Sequence, residues 1–283
     1  MPDQPAHPEG LGRTTGRKAV TQRKIDAHIH FGTDPHVASK TVVPYLRPDE
    51  PESAIRFLEE QNAEIGILFP HDRIFTPPWD ADYNKQNEQV GRAATAYPDR
   101  LIGVARINPT FGAEHTAGLL DRYVESWNCR GVKLVAGYDY YRPNDMSVMG
   151  PLLDKCEEHD LTVLFHSGDA PRDLPSLQAQ AAKRYPRVRF QLAHMGMHLF
   201  LWEAIIAAQE HDNIWCDMSQ AFTYDIAIFL AEAGSDKLLY GTDAPYQSPR
   251  VESQKVLDAT SDPEVRHAVF YENALEVWRL ERR

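Results

Sequence analysis

What this 283-residue chain lacks narrows it first. Its three cysteines, Cys129, Cys156 and Cys216, lie far apart and show none of the C-x-x-C spacing of zinc ribbons or redox pairs. That excludes a disulfide scaffold and suits a reducing cytoplasm. No apolar run approaches the roughly 20 residues that span a bilayer, so no membrane is expected as a partner. Basic residues are outnumbered 30 to 41 by acidic ones, a formal net charge of −11, which argues against a phosphate-tracking surface and hence against nucleic acid. A small-molecule substrate is the expected partner, and a homodimer is left open. Residues 1–23 hold three prolines, three glycines and scattered basic residues but no apolar core of the kind a secretory signal needs. They are expected to form a flexible N-terminal arm.

What is present is an alternation of strand and helix. The stretch Lys24 to Gly32 reads as a buried strand with Ile25, Ala27, Ile29 and Phe31 on one side and Asp26, His28 and His30 on the other. A Pro-rich connection (Pro35, Pro44, Pro48, Pro51) leads to a helix at Ser53 to Glu60. Further strands are expected at Ile65 to Phe69, Leu101 to Ile107, Gly131 to Val135, Leu161 to Phe165, Val188 to Ala193, Ile214 to Asp217 and Leu238 to Gly241. Helices between and after them are expected at Asp82 to Tyr97, Glu114 to Trp127, Pro151 to His159, Leu174 to Tyr185, Leu199 to Gln209, Ile226 to Ala233, Val251 to Leu257 and Pro263 to Leu280. Eight units at about 32 residues each match the roughly 30 residues of a strand-helix-strand crossover. The pattern predicts an α/β fold, a single-domain (β/α)8 TIM barrel over residues 24–283. A doubly wound open sheet would carry a Gly-rich phosphate loop after its first strand, and Asp26 to Gly32 has none.

In a barrel the C-terminal strand ends converge on one mouth. Strand one ends in His28 and His30, strand five in His166, strand six in His194 and strand eight in Asp243, with small residues after the later ones (Ser167-Gly168, Met195-Gly196, Ala244-Pro245). Imidazoles with one carboxylate suit zinc, though manganese, iron or cobalt accept the same donors. Taken singly, each has a plainer reading: His194 as a core histidine bonded to a carbonyl, Asp243 as a turn cap, His166 as a strand-end cap.

These residues, in Asp26-Ala27-His28-Ile29-His30, Gly131-Val132-Lys133-Leu134, Leu164-Phe165-His166-Ser167-Gly168, Leu192-Ala193-His194-Met195-Gly196, Gly241-Thr242-Asp243-Ala244-Pro245 and Glu272-Asn273-Ala274, resemble the amidohydrolase superfamily and its amidohydrolase-related branch over about residues 24–280. The resemblance implies His28, His30, His166 and Asp243 as ligands of one divalent ion, zinc first, with Asp243 and His194 as catalytic groups. It implies a hydrolase that activates water against an ester, lactone or amide bond of a small carboxylated molecule, Asp243 taking the proton and His194 polarising the carbonyl. A non-oxidative decarboxylase of the same branch is the alternative; such enzymes tend to be longer than this chain, which favours hydrolysis. From another class, a non-catalytic binding or scaffold barrel remains. Lys133 sits where some members carry a lysine bridging two metals. His71 and Arg106, after strands two and three, are candidate substrate contacts, the arginine for a carboxylate. Tyr138, Tyr140 and Arg142 lie in an aromatic loop able to cover a substrate. His36, His115, His159, His198, His211 and His267 are expected at the surface.

Overall fold

The computed structural model describes residues 22–32, 46, 50–71 and 82–282. The expected arm, apart from Gln22 and Arg23, lies outside the described residues, as do Pro35, His36, Pro44 and Pro48. Arg23 is tied down: its Nε and Nη2 donate to the Glu64 carboxylate at 2.6 and 2.7 Å, and its guanidinium lies 4.0 Å from the centre of the Tyr271 ring.

Among the described residues eight strands follow in chain order: β1 Lys24–His30, β2 Ala63–Phe69, β3 Leu101–Arg106, β4 Gly131–Leu134, β5 Thr162–Phe165, β6 Arg189–Leu192, β7 Ile214–Asp217 and β8 Leu238–Leu239. Each pairs in parallel with the next. The sheet returns on itself where Ala27 N donates to Tyr240 O (3.0 Å), His30 N donates to Ala244 O (2.7 Å) and Ile29 bridges Ala244. The architecture is the expected single-domain (β/α)8 barrel. No helix among the described residues is long and apolar enough to cross a membrane.

The helices bury one face each. In α3 (Ala113–Trp127) Thr116, Leu119, Leu120 and Tyr123 recur at helical spacing and are buried, and Asn128 ends the helix in the left-handed conformation. The helix expected from Pro151 starts earlier, as α5 (Met146–Glu158), because Asp145 caps it: its side chain accepts from Ser147 N at 3.1 Å. The last helical stretch is not uniform. It runs as α10 (Pro263–His267), a π-turn (Ala268–Glu272) and α11 (Asn273–Val277).

Two features position the site. The alternation expected along β1 breaks at a register shift between Asp26 and Ile29. Ile25 and Ala27 pack with Ile67, Val104 and Leu164, whereas Ile29 and Phe31 pack with Ala54, Phe57 and Leu58 of α1 (Pro51–Glu60). A bulge of this kind re-aims the side chains that follow it. Asp26 therefore turns to Gln61 Nε2 and Thr242 Oγ1, at 2.9 and 2.7 Å, and does not share a face with the two histidines. At the opposite end, Trp278 is buried against β4. A Cβ at Gly131 would stand 2.8 Å from its ring and 2.5 Å from Thr162 O, so only glycine fits there.

Candidate metal centre

His28 and His30 leave β1 toward the C-terminal mouth, where the segment after β8 brings Asp243 against them. Their Nε2 atoms lie 3.0 and 3.1 Å from the same oxygen, Asp243 Oδ1. The three donor atoms are buried and all within 4.8 Å of one another. The outer ring nitrogens are spoken for: His28 Nδ1 donates to Asp217 Oδ2 at 2.9 Å and His30 Nδ1 donates to the Pro70 carbonyl at 3.2 Å. Fixing the hydrogen on Nδ1 leaves the Nε2 lone pairs pointing inward, the arrangement outer partners impose on metal-binding imidazoles. His28 Nε2, although close to Asp243, has no partner in hydrogen-bonding geometry. A buried nitrogen lone pair facing a carboxylate is satisfied by a cation between them, so the donor set fits a divalent metal.

Asp217, at the end of β7, anchors the opposite side. Its carboxylate accepts from His28, from Gln191 Nε2 (2.8 Å), from the backbone of His194 (3.3 Å) and Ser219 (3.1 Å), and from the Ser219 hydroxyl. Burial pushes the Asp217 carboxyl up, but His28 outweighs it and holds it below the usual carboxylate range. Burial likewise opposes the Asp243 charge, and the imidazoles of His28 and His30 beside it hold that carboxyl well below its ordinary value. Burial disfavours a charge on His28 as well, yet Asp217 raises it to about 9. Without a cation the buried carboxylates thus draw a second proton onto His28, and a divalent ion would take that proton's place at Nε2.

His194 occupies a tight turn after β6, Ala193–Gly196, in which it (φ 61°) and Met195 (φ 49°) are left-handed. Such conformations cost free energy and collect at functional sites. The turn presses on its neighbour: a Cβ at Gly168 would lie 2.6 Å from the Gly196 backbone. The His194 ring stands between those of His28 and His166, 4.9 and 5.0 Å away. Its Nδ1 is 3.2 Å from the Ser219 carbonyl, which can only accept. The hydrogen therefore sits on Nδ1, and burial, which drives the ring down to about 3, keeps it neutral with Nε2 as a lone pair.

The other expected residues are distributed around this core. His166 donates from Nε2 to Asp169 Oδ2 at 2.8 Å and keeps a buried Nδ1 without a partner; it is not within the 4.8 Å group of His28, His30 and Asp243. Lys133 Nζ lies 4.8 Å from the centre of the Phe69 ring, which meets His28 and His30 edge-on. His71 stacks on His30 with centroids 5.5 Å apart and bonds the Tyr246 hydroxyl at 3.1 Å. Tyr138 stacks on His166 at 6.3 Å. Tyr140, exposed, lies under the Arg172 guanidinium, and Arg142 is exposed. Arg106 does not present its charge to a substrate. It is fully buried, its Nη2 is 2.8 Å from Asp139 Oδ2 and its guanidinium covers the Tyr83 ring, because a charge so buried needs a carboxylate beside it. His159, His198 and His267 pair with Asp121, Asp225 and Glu272. Sequence reasoning passed over Asp217, Ser219 and Tyr246. The strand-end rule applied to β1, β5, β6 and the β8 end would have found Asp217.

A family model described as amidohydrolase matches residues 25–280. Among solved structures, 5-carboxyvanillate decarboxylase from Sphingomonas paucimobilis aligns with a TM-score of 0.71 and 13% identity, over 92% of this chain and 100% of that one. The 2,6-dihydroxybenzoate decarboxylase from Rhizobium aligns with a TM-score of 0.72 and 16% identity, over 92% and 99%. A dihydroxybenzoic acid decarboxylase from a Polaromonas species, with bound manganese and the inhibitor 2-nitroresorcinol, aligns with a TM-score of 0.73 and 16% identity, over 93% and 98%. At these identities the likeness is one of fold. Comparison with curated proteins gives no match.

Proposed function

The chain belongs to the amidohydrolase family, and from that premise we propose that it is a metal-dependent lyase that releases carbon dioxide from a small carboxylated aromatic acid without an oxidant. The observation that carries the metal-dependent reading is the convergence of His28 Nε2 and His30 Nε2 on Asp243 Oδ1, with the outer nitrogens already bonded. The choice of decarboxylation over hydrolysis draws its support from the decarboxylases above. They align over 98–100% of their own lengths, so the argument from chain length against decarboxylation loses its footing.

In this reading His28, His30 and Asp243 hold the ion, and His166 adds a fourth donor through its unpartnered Nδ1. Manganese, which the Polaromonas enzyme binds, and zinc both accept imidazole and carboxylate donors. An ion held there would supply Lewis acidity for a substrate carboxylate and for developing negative charge. His71, Tyr246 and Tyr138 flank the cluster with ring faces and edges suited to a planar substrate. The bond from ring carbon to carboxylate breaks, its electron pair stays on the carbon, and a proton takes the vacated position. Asp243 and His194 are the buried titratable groups placed to carry that proton. Product analysis on metal-loaded protein, with hydroxybenzoic acids and their esters and amides, tests the reading. Carbon dioxide release without water uptake is expected. Ester, lactone or amide cleavage without carbon dioxide returns the site to hydrolysis, and no turnover with less than about one ion per chain leaves a scaffold.

A further inference from the structure

We infer that Gln220 is a positioning residue for Asp243: its side-chain amide clamps the outer carboxylate oxygen so that the other oxygen is presented to His28 and His30. The inference rests on the reading of those three residues as a ligand set. Gln220 Nε2 donates to Asp243 Oδ2 at 2.5 Å. An ionised carboxylate only accepts, so the amide must turn its nitrogen toward it. Oδ1 meanwhile faces the two imidazoles. The carboxylate is thereby held at both ends, and its torsion is fixed before any ion arrives.

The backbone supplies an independent reason. Gln220 sits at φ 61°, a conformation that glycine adopts freely and a residue with a Cβ does not. Gln220 is also exposed, so burial of its side chain does not repay the strain. What the strained position does accomplish is delivery of the amide across 23 residues of chain to Asp243. Asp243, also left-handed (φ 56°), is the partner whose own backbone the clamp steadies.

The test is titration of the metal-free protein with Co2+, followed by its visible absorption, in wild type, Gln220→Gly, Asp243→Asn and the double variant. Glycine relieves the left-handed strain, so Gln220→Gly is expected to fold with an undiminished Tm while binding Co2+ about tenfold more weakly and with a changed absorption band. In the Asp243→Asn background the same change is expected to alter affinity by less than about twofold, because the clamp then has no anion to hold. Equal Co2+ affinity and spectra in wild type and Gln220→Gly overturn the inference and leave the ligand set standing. An equal loss in both backgrounds also overturns it, since the effect would then come from the turn alone. A wild-type chain that binds no Co2+ overturns the ligand set and this inference with it.

Discussion

Among the described residues three groups of histidine and carboxylate crowd within 4.8 Å, two sharing His28 at the barrel mouth and one on the flank, and the two regions differ in nearly everything else. At the barrel mouth, His28, His30 and Asp243 are sealed from solvent and each outer ring nitrogen has its own acceptor. On the flank, Asp121 and His159 are half-buried and Glu158 is exposed, and a lysine completes the group: Asp121 Oδ1 accepts from His159 Nε2 at 2.6 Å and from Lys155 Nζ at 2.9 Å, and Glu158 takes Lys155 at 3.0 Å. The flank cluster has neutralised itself. In the mouth cluster the carboxylates are buried and meet the imidazoles of His28 and His30, whose inward nitrogens are donors a metal can also use. Residue type alone does not make a candidate metal site; burial of the donors with their outer nitrogens already bonded does.

The sharpest way to break that contrast is His30→Ala. Bound metal, measured on purified protein, is expected to fall from about one ion per chain to below about a tenth, and turnover by roughly a thousandfold or more. Retention of a full ion would place the site elsewhere. Next is Asp217→Asn, which leaves every inward-facing atom in place and replaces with a neutral amide the carboxylate behind His28, the one that also holds Gln191, His194 and Ser219. Metal affinity is expected to weaken by about 10- to 100-fold, read by competition with a chelator.

Smaller still is an effect at Glu252, a buried carboxylate that, unlike Asp217, has a lysine and no histidine as its ionic partner. Burial raises it from 4.5 to about 7. A raised carboxyl contributes stability in full below its unfolded value and loses it as pH climbs through the folded one. Glu252→Gln is therefore expected to gain Tm relative to wild type between about pH 4.5 and 7, and a Tm difference that does not vary with pH would contradict the assignment. Least of all should His159→Ala matter. The flank cluster is expected to lose it with a Tm change within about 2 °C and no change in bound metal.

Most of the fold and part of this site could be read from residues alone. Apolar runs such as Ile65 to Phe69 and Leu161 to Phe165 announce parallel strands because both of their faces are buried, and the strand ends then pick out His28, His30, His166, His194 and Asp243. What stayed hidden depends on three-dimensional register. The β1 bulge separates Asp26 from the histidines, and no periodicity reports a bulge. Arg106 looked like a substrate contact because its partner, Asp139, lies 33 positions away on a short helix, Ala136–Asp139, that the aromatic sequence there did not suggest. Gln220 escaped notice because an amide carries no charge and its left-handed backbone leaves no mark on composition.

Beneath the mouth, Trp278 Nε1 donates to Gln191 Oε1 at 2.9 Å, and Gln191 in turn donates to Asp217, the residue behind His28. The indole that props this column is added by the ribosome after all eight strands have been made. The hydrogen-bonded column behind His28 is therefore completed only by the C-terminal segment that carries Trp278.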